Sequence, residues 1–77
     1  MNVQQRDHRT AITWIEGEIE NMIHDLGKPN ASAAATSCIT LAYMLRAIDD
    51  EEHRHYRARI DQIYASFNAK LKQGVAA

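Results

Sequence analysis

A single cysteine, a single proline and three glycines are all that punctuate this chain of 77 residues. One thiol has no partner within the chain, so an intrachain disulfide framework is excluded, and a lone Cys38 fits a reducing compartment. Charge of one sign is lacking too. A formal net charge of −1 gives no long-range pull on polyanions. Nor is there an apolar run of bilayer length: the longest uncharged stretch, "ASAAATSCITLAYML" from Ala31 to Leu45, is too short and too rich in serine and threonine to span a membrane. The first thirty residues carry neither the apolar core nor the small-residue cleavage site of a signal peptide. The expectation is a cytoplasmic protein that avoids membranes.

Helical periodicity, by contrast, is plentiful. Ile12, Ile15, Ile19, Met22 and Leu26 recur at steps of three and four, the spacing of a helix that packs on other helices. "LGKPN", Leu26 to Asn30, ends that helix: Gly27 suits the left-handed position past a helix end, and Pro29 cannot continue it. Asn30 or Ser32 can cap the next helix. In the second segment Ala34, Cys38, Leu41, Leu45 and Ile48 form a stripe, yet Ala35, Ile39, Ala42 and Tyr43 are apolar off it. A helix apolar on most sides sits between neighbours. On this reading Cys38 is a buried small hydrophobe and not a nucleophile, while Ile39 and Tyr43 lie between intrachain core and dimer seam. Tyr56, Ile60, Ile63, Phe67 and Leu71 make a third stripe, to about Lys72, before "QGVAA" frays.

The reading is all-α in one domain, residues 1–77, with helices about 6–26, 31–48 and 50–72. It is a small three-helix bundle or, since no Gly or Pro separates the last two segments, a helical hairpin whose long second helix is kinked. A chain this short buries only about 60% of its unfolded surface. Together with the surplus apolar surface of the second helix, that predicts a homodimer.

"DDEEHRHYRAR", Asp49 to Arg59, concentrates the chemistry. As a metal site it is poor: His53 and His55 point about 200° apart on a helix, and no His-x-x-x-His or Cys-x-x-Cys accompanies them. The spacing instead describes a solvated helix start. Asp49 or Asp50 caps, Glu51 and Glu52 favour the first turn, and Asp50–Arg54, Glu51–His55 and Arg57–Asp61 stand four apart. His53, in line with Tyr56 and Ile60, belongs to the core's edge. The nucleic-acid alternative uses Arg54, His55, Arg57 and Arg59 on phosphates, but four preceding acids repel phosphate. A helix-turn-helix would also want a glycine in "AIDDEE".

Trp14 lies off its helix's stripe, near Gly17, whose place in a helix interior costs about 1 kcal/mol relative to Ala. An off-stripe tryptophan suits a surface that another molecule approaches, or else the edge of the third helix. No Ser–His–acid set, phosphate loop or inward pair of carboxylates can be assembled, so no enzyme, cofactor, metal or small-molecule substrate is expected. The expected function is that of a regulator, adaptor or inhibitor that binds a protein. Such a type fits an accessory protein of a phage or plasmid. Its partner-binding candidates are Trp14, Gly17, Ile39, Tyr43, Arg54 and Arg57.

Overall fold

The computed structural model describes residues 2–76, with side chains through Lys72. Three helices follow one another: α1 (Val3–His24), α2 (Ala33–Met44) and α3 (Asp50–Ala76). No strand occurs among the described residues. Each helix starts or stops where side-chain and backbone chemistry allows. α1 begins earlier than its apolar stripe because Asn2 and Gln5 form a reciprocal capping box: the Asn2 carboxamide oxygen accepts from the Gln5 N–H at 2.7 Å, and Gln5 Oε1 accepts from the Asn2 N–H at 3.2 Å. It ends ahead of Gly27, which takes a left-handed φ of 95° as the glycine signal requires. Asn30 also turns left-handed, at φ 63°. It therefore shapes the turn instead of capping α2. Ser32 occupies the cap position without a side-chain hydrogen bond.

The break between α2 and α3 needs no glycine. The Ala47 N–H donates to the Ala42 carbonyl at 2.8 Å and the Arg46 N–H to that of Tyr43 at 3.0 Å, the paired bonds of a Schellman stop. Arg46 supplies its left-handed residue, at φ 61°. Two separate helices result, not one kinked helix. A second capping box then starts α3: Asp49 Oδ1 accepts from the Glu52 N–H at 2.8 Å, while Glu52 Oε1 accepts from the Asp49 N–H at 3.0 Å. The fraying expected from Gln73 is replaced by helical backbone as far as Ala76.

α2 lies against both other helices, which approach each other less closely. His8 meets Glu52 and Glu16 meets Arg59, so α1 and α3 run parallel with α2 antiparallel between them. The core is Ile15, Ile19 and Met22 from α1, Ala35, Ile39 and Ala42 from α2, Ile48 from the turn, and Tyr56 and Ile60 from α3. The stripe of α1 is therefore as its spacing predicts. That of α2 is not: the core row is Ala35–Ile39–Ala42, while Leu41 and Leu45 are exposed and Cys38 is half-buried. Ile39, expected off the stripe, is fully enclosed. Periodicity identifies rows but cannot say which of two apolar rows turns inward. On α3 the stripe is covered at its start and bare at its end, where Leu71 is 53% exposed. Phe67 lies level with the Gly27 turn, and α3 continues past it, drawing the molecule out to 54 × 20 × 18 Å.

Candidate functional site

The charged segment is first of all structural. Glu52 serves two neighbours: one carboxylate oxygen completes the capping box and the other meets His8 Nε2 at 2.6 Å, joining the start of α3 to α1. Further along, Glu16 Oε2 accepts from Arg59 Nη1 at 2.6 Å and from the Tyr56 hydroxyl at 3.2 Å. The Arg59 hydrogen bond is the main reason that the Glu16 carboxyl lies below its ordinary pKa, against burial, which would raise it. Burial, followed by the Glu16 charge, pushes the Tyr56 phenol up. None of the three pairs spaced four apart closes to an ion pair among the described residues. Asp50 instead bonds a tyrosine, while Asp49 and Glu52 serve the cap and His8.

Tyr43 is that tyrosine. Its hydroxyl donates to Asp50 Oδ1 at 2.6 Å, and its ring stacks on His53 with centroids 4.3 Å apart. The Asp50 hydrogen bond raises the Tyr43 phenol pKa. Tyr43 thus holds the end of α2 to the start of α3, and His53 sits half-buried beside it. Near them, Arg9, Met44 and Arg46 line an open polar cleft together with His8 and Asp49. His55 packs edge-on to Tyr56, with centroids 5.1 Å apart. Among the described residues no three His, Cys, Asp or Glu side chains gather as metal ligands, and no helix is long and apolar enough to cross a membrane.

Most of the exposed apolar surface lies elsewhere. Trp14 is 64% exposed, Leu41 57%, Met44 72% and Leu45 70%. Trp14, Leu41 and Leu45 share one side of the molecule, as their neighbours show, while Met44, next to Leu45 in the chain, turns toward the polar cleft. Glu18 is close enough to Cys38 for its charge to add to the burial that raises the thiol's pKa, and Glu18 and Ala34 line the same depression. Trp14 is one turn before Glu18, and Leu41 one turn after Cys38. Since the two helices run antiparallel, both steps lead in the same direction, and Trp14 stands beside Leu41 and Leu45.

The sequence candidates therefore separate. Trp14 belongs to this apolar face and does not cover the edge of α3. Gly17 lies farther round α1, where an added Cβ would meet nothing within 4 Å. Ile39 is core, and Tyr43 is held by Asp50 and His53. Arg54 and Arg57 point outward on α3, apart from Trp14. Leu41, Met44 and Leu45 escape sequence reasoning as surface residues, because Leu41 and Leu45 fit a core stripe. The signal is present in the sequence, as a helix with more apolar rows than one bundle can bury. No protein-family model, curated protein or solved structure matches this chain.

Proposed function

We propose that this chain acts without catalysis, as a regulator, adaptor or inhibitor that binds a protein partner through the face formed by Trp14, Leu41, Met44 and Leu45. One observation carries the reading: Trp14, Leu41 and Leu45, each more than half exposed, stand together on one side of a small domain, with exposed Met44 at the rim toward the polar cleft. Such a patch, on the order of 500 Å², is the size of the largest apolar patch on a typical monomer, which is often functional. Covering it releases water from apolar area, at about 25 cal/mol per Å² before the costs of association. The tryptophan at its edge is of the type most often found to dominate binding. An accessory protein that occludes or remodels its target needs no more chemistry than this.

The nucleic-acid alternative is left with Arg54, His55 and Arg57. Arg59 is held by Glu16, and Tyr56, 5% exposed, cannot stack on a base. The test is a binding titration against proteins recovered from the native host, with Leu45→Glu and Trp14→Ala beside the unaltered chain. Loss of binding in both variants, with the fold intact by circular dichroism, is the expected result. Unchanged binding would remove the face from the function.

A further inference from the structure

We infer that the protein covering this face is a second copy of the same chain, with α2 packed antiparallel on α2 about a two-fold axis. The inference rests on the proposed protein contact at this face and narrows it to one partner. Its basis is the order of side chains along the outer row of α2: Ala34, Cys38, Leu41 and Leu45. Positions 34 and 45 are equidistant from the row's midpoint, and so are 38 and 41. An antiparallel two-fold therefore sets Ala34 against Leu45 of the second copy and Cys38 against its Leu41. Every facing pair matches a small side chain with a large one, as interdigitated packing requires. A parallel pairing would set leucine on leucine at one end and leave a gap between alanines at the other.

Charge agrees with shape. A two-fold sets the row as a whole against its own copy, so a row carrying charges of one sign would oppose itself. From Ala33 to Leu45 α2 carries no charge at all, the one helix of the three for which this holds. The inner row, Ala35–Ile39–Ala42, is already occupied by the chain's own core, so Ala34, Leu41 and Leu45 of the outer row are open without unfolding, with Cys38 half-buried between them. About 500 Å² from each copy amounts to about 1,000 Å² in total, the lower edge of specific interfaces and the size at which weak, reversible contacts occur.

Sedimentation of the full chain across micromolar concentrations, with Leu41→Glu, Leu45→Glu and Leu41→Cys beside it, tests the pairing. Leu41 and Leu45 are exposed, so the glutamate variants should keep the helical circular dichroism of the parent while their association weakens about a hundredfold or more, two buried charges being introduced per dimer. Leu41→Cys in a Cys38→Ala chain, mixed with the parent, places a thiol opposite Cys38 of the second copy. Mild oxidation should yield a covalent dimer of the mixed chains much faster than in the parent alone, and neither chain then holds a Cys-x-x-Cys pair that could bridge within it. A dimer that survives both glutamate changes, or mixed chains no quicker to cross-link than the parent alone, would overturn the inference. So would a parent that stays monomeric. In that case an apolar dye separates the two readings. Dye binding that Leu45→Glu abolishes would leave the contact face standing with a different protein or a lipid surface as its occupant, whereas no dye binding would remove the face as well.

Discussion

Arg59 and Glu16, 43 residues apart in sequence, meet at 2.6 Å, and with His8–Glu52 this contact ties α1 to α3. The two helices have little direct packing, so the pair, with Tyr56 as its third member, fixes how α1 leans on α3. Glu16 has a folded-state pKa below its ordinary value. Its contribution to stability is therefore present above the unfolded carboxylate pKa, about 4.3, and is lost as pH falls through the lower folded value. Glu16→Gln should lower stability at neutral pH by about 1 kcal/mol, a modest figure because both partners are partly solvated. It should also flatten the acid limb of a stability–pH curve. Urea melts between about pH 2 and pH 7 read both effects, and an unchanged acid limb would show that the pair contributes nothing.

Two left-handed residues provide a comparison of opposite sign. Gly27 holds φ at 95° and Arg46 at 61°. Gly27→Ala should destabilise by about 1 kcal/mol, since the strain comes from the backbone and the nearest atom to an added Cβ, on Phe67, is at an ordinary 3.5 Å. Arg46→Gly should stabilise by up to about 1 kcal/mol, relieving the same strain at a Schellman position that glycine prefers. Thermal melts of the pair should move in opposite directions.

Asp49 is the cap that the charged segment provides. Asp49→Ala removes the acceptor for the Glu52 N–H and should cost about 1 kcal/mol. Glu52→Gln retains an acceptor for the box but loses the charge facing His8. Its effect should therefore be smaller than that of Asp49→Ala, since the cap survives and the His8 contact is partly exposed. Urea melts of the two variants compare the roles.

Much of this fold is legible in the sequence, and the reasons are local. "LGKPN" marks a turn because glycine and proline have few conformational options, and Ile15, Ile19 and Met22 face inward because α1 has only one apolar row. The stop at Arg46 leaves no such mark, since a non-glycine residue takes a conformation that its side chain disfavours. The orientation of α2 is hidden for a different reason. Rows 34–38–41–45 and 35–39–42 are both apolar, and only tertiary packing decides between them. The candidate face is hidden by the same ambiguity: its leucines look like core until Ile39 is seen to fill that place. Trp14, on a helix with one clear stripe, is legible as an outlier.

That decision between rows is itself measurable. Ile39 is enclosed and Leu41 is 57% exposed, so Ile39→Ala should cost about 2–5 kcal/mol by opening a cavity. Leu41→Ala, at concentrations where the chain is monomeric, should cost less than about 1 kcal/mol. Chemical denaturation at low concentration compares them. The reverse order would place α2 in the orientation that its longer stripe suggests.

Trp14, Gly17, Arg54 and Arg57 bring the functional readings into direct contest. Trp14→Ala removes a mostly exposed side chain and should leave the melt almost unchanged, yet weaken protein binding by about 2 kcal/mol or more if it anchors the interface. Gly17→Ala fills open space on a helix and should stabilise by about 0.5–1 kcal/mol. If binding falls as stability rises, the partner approaches the backbone there. If phosphate were the target, Arg54→Ala and Arg57→Ala would instead reduce the salt dependence of binding, by a slope of about one for each lost contact. Salt separates the cases because an apolar interface depends little on ionic strength, whereas phosphate contacts release counterions. Binding titrations of the four variants at two salt concentrations, beside their thermal melts, should show loss at Trp14 and parallel salt curves for the arginine variants. A large loss confined to the arginine variants and to low salt would transfer the function from the α2 face to α3.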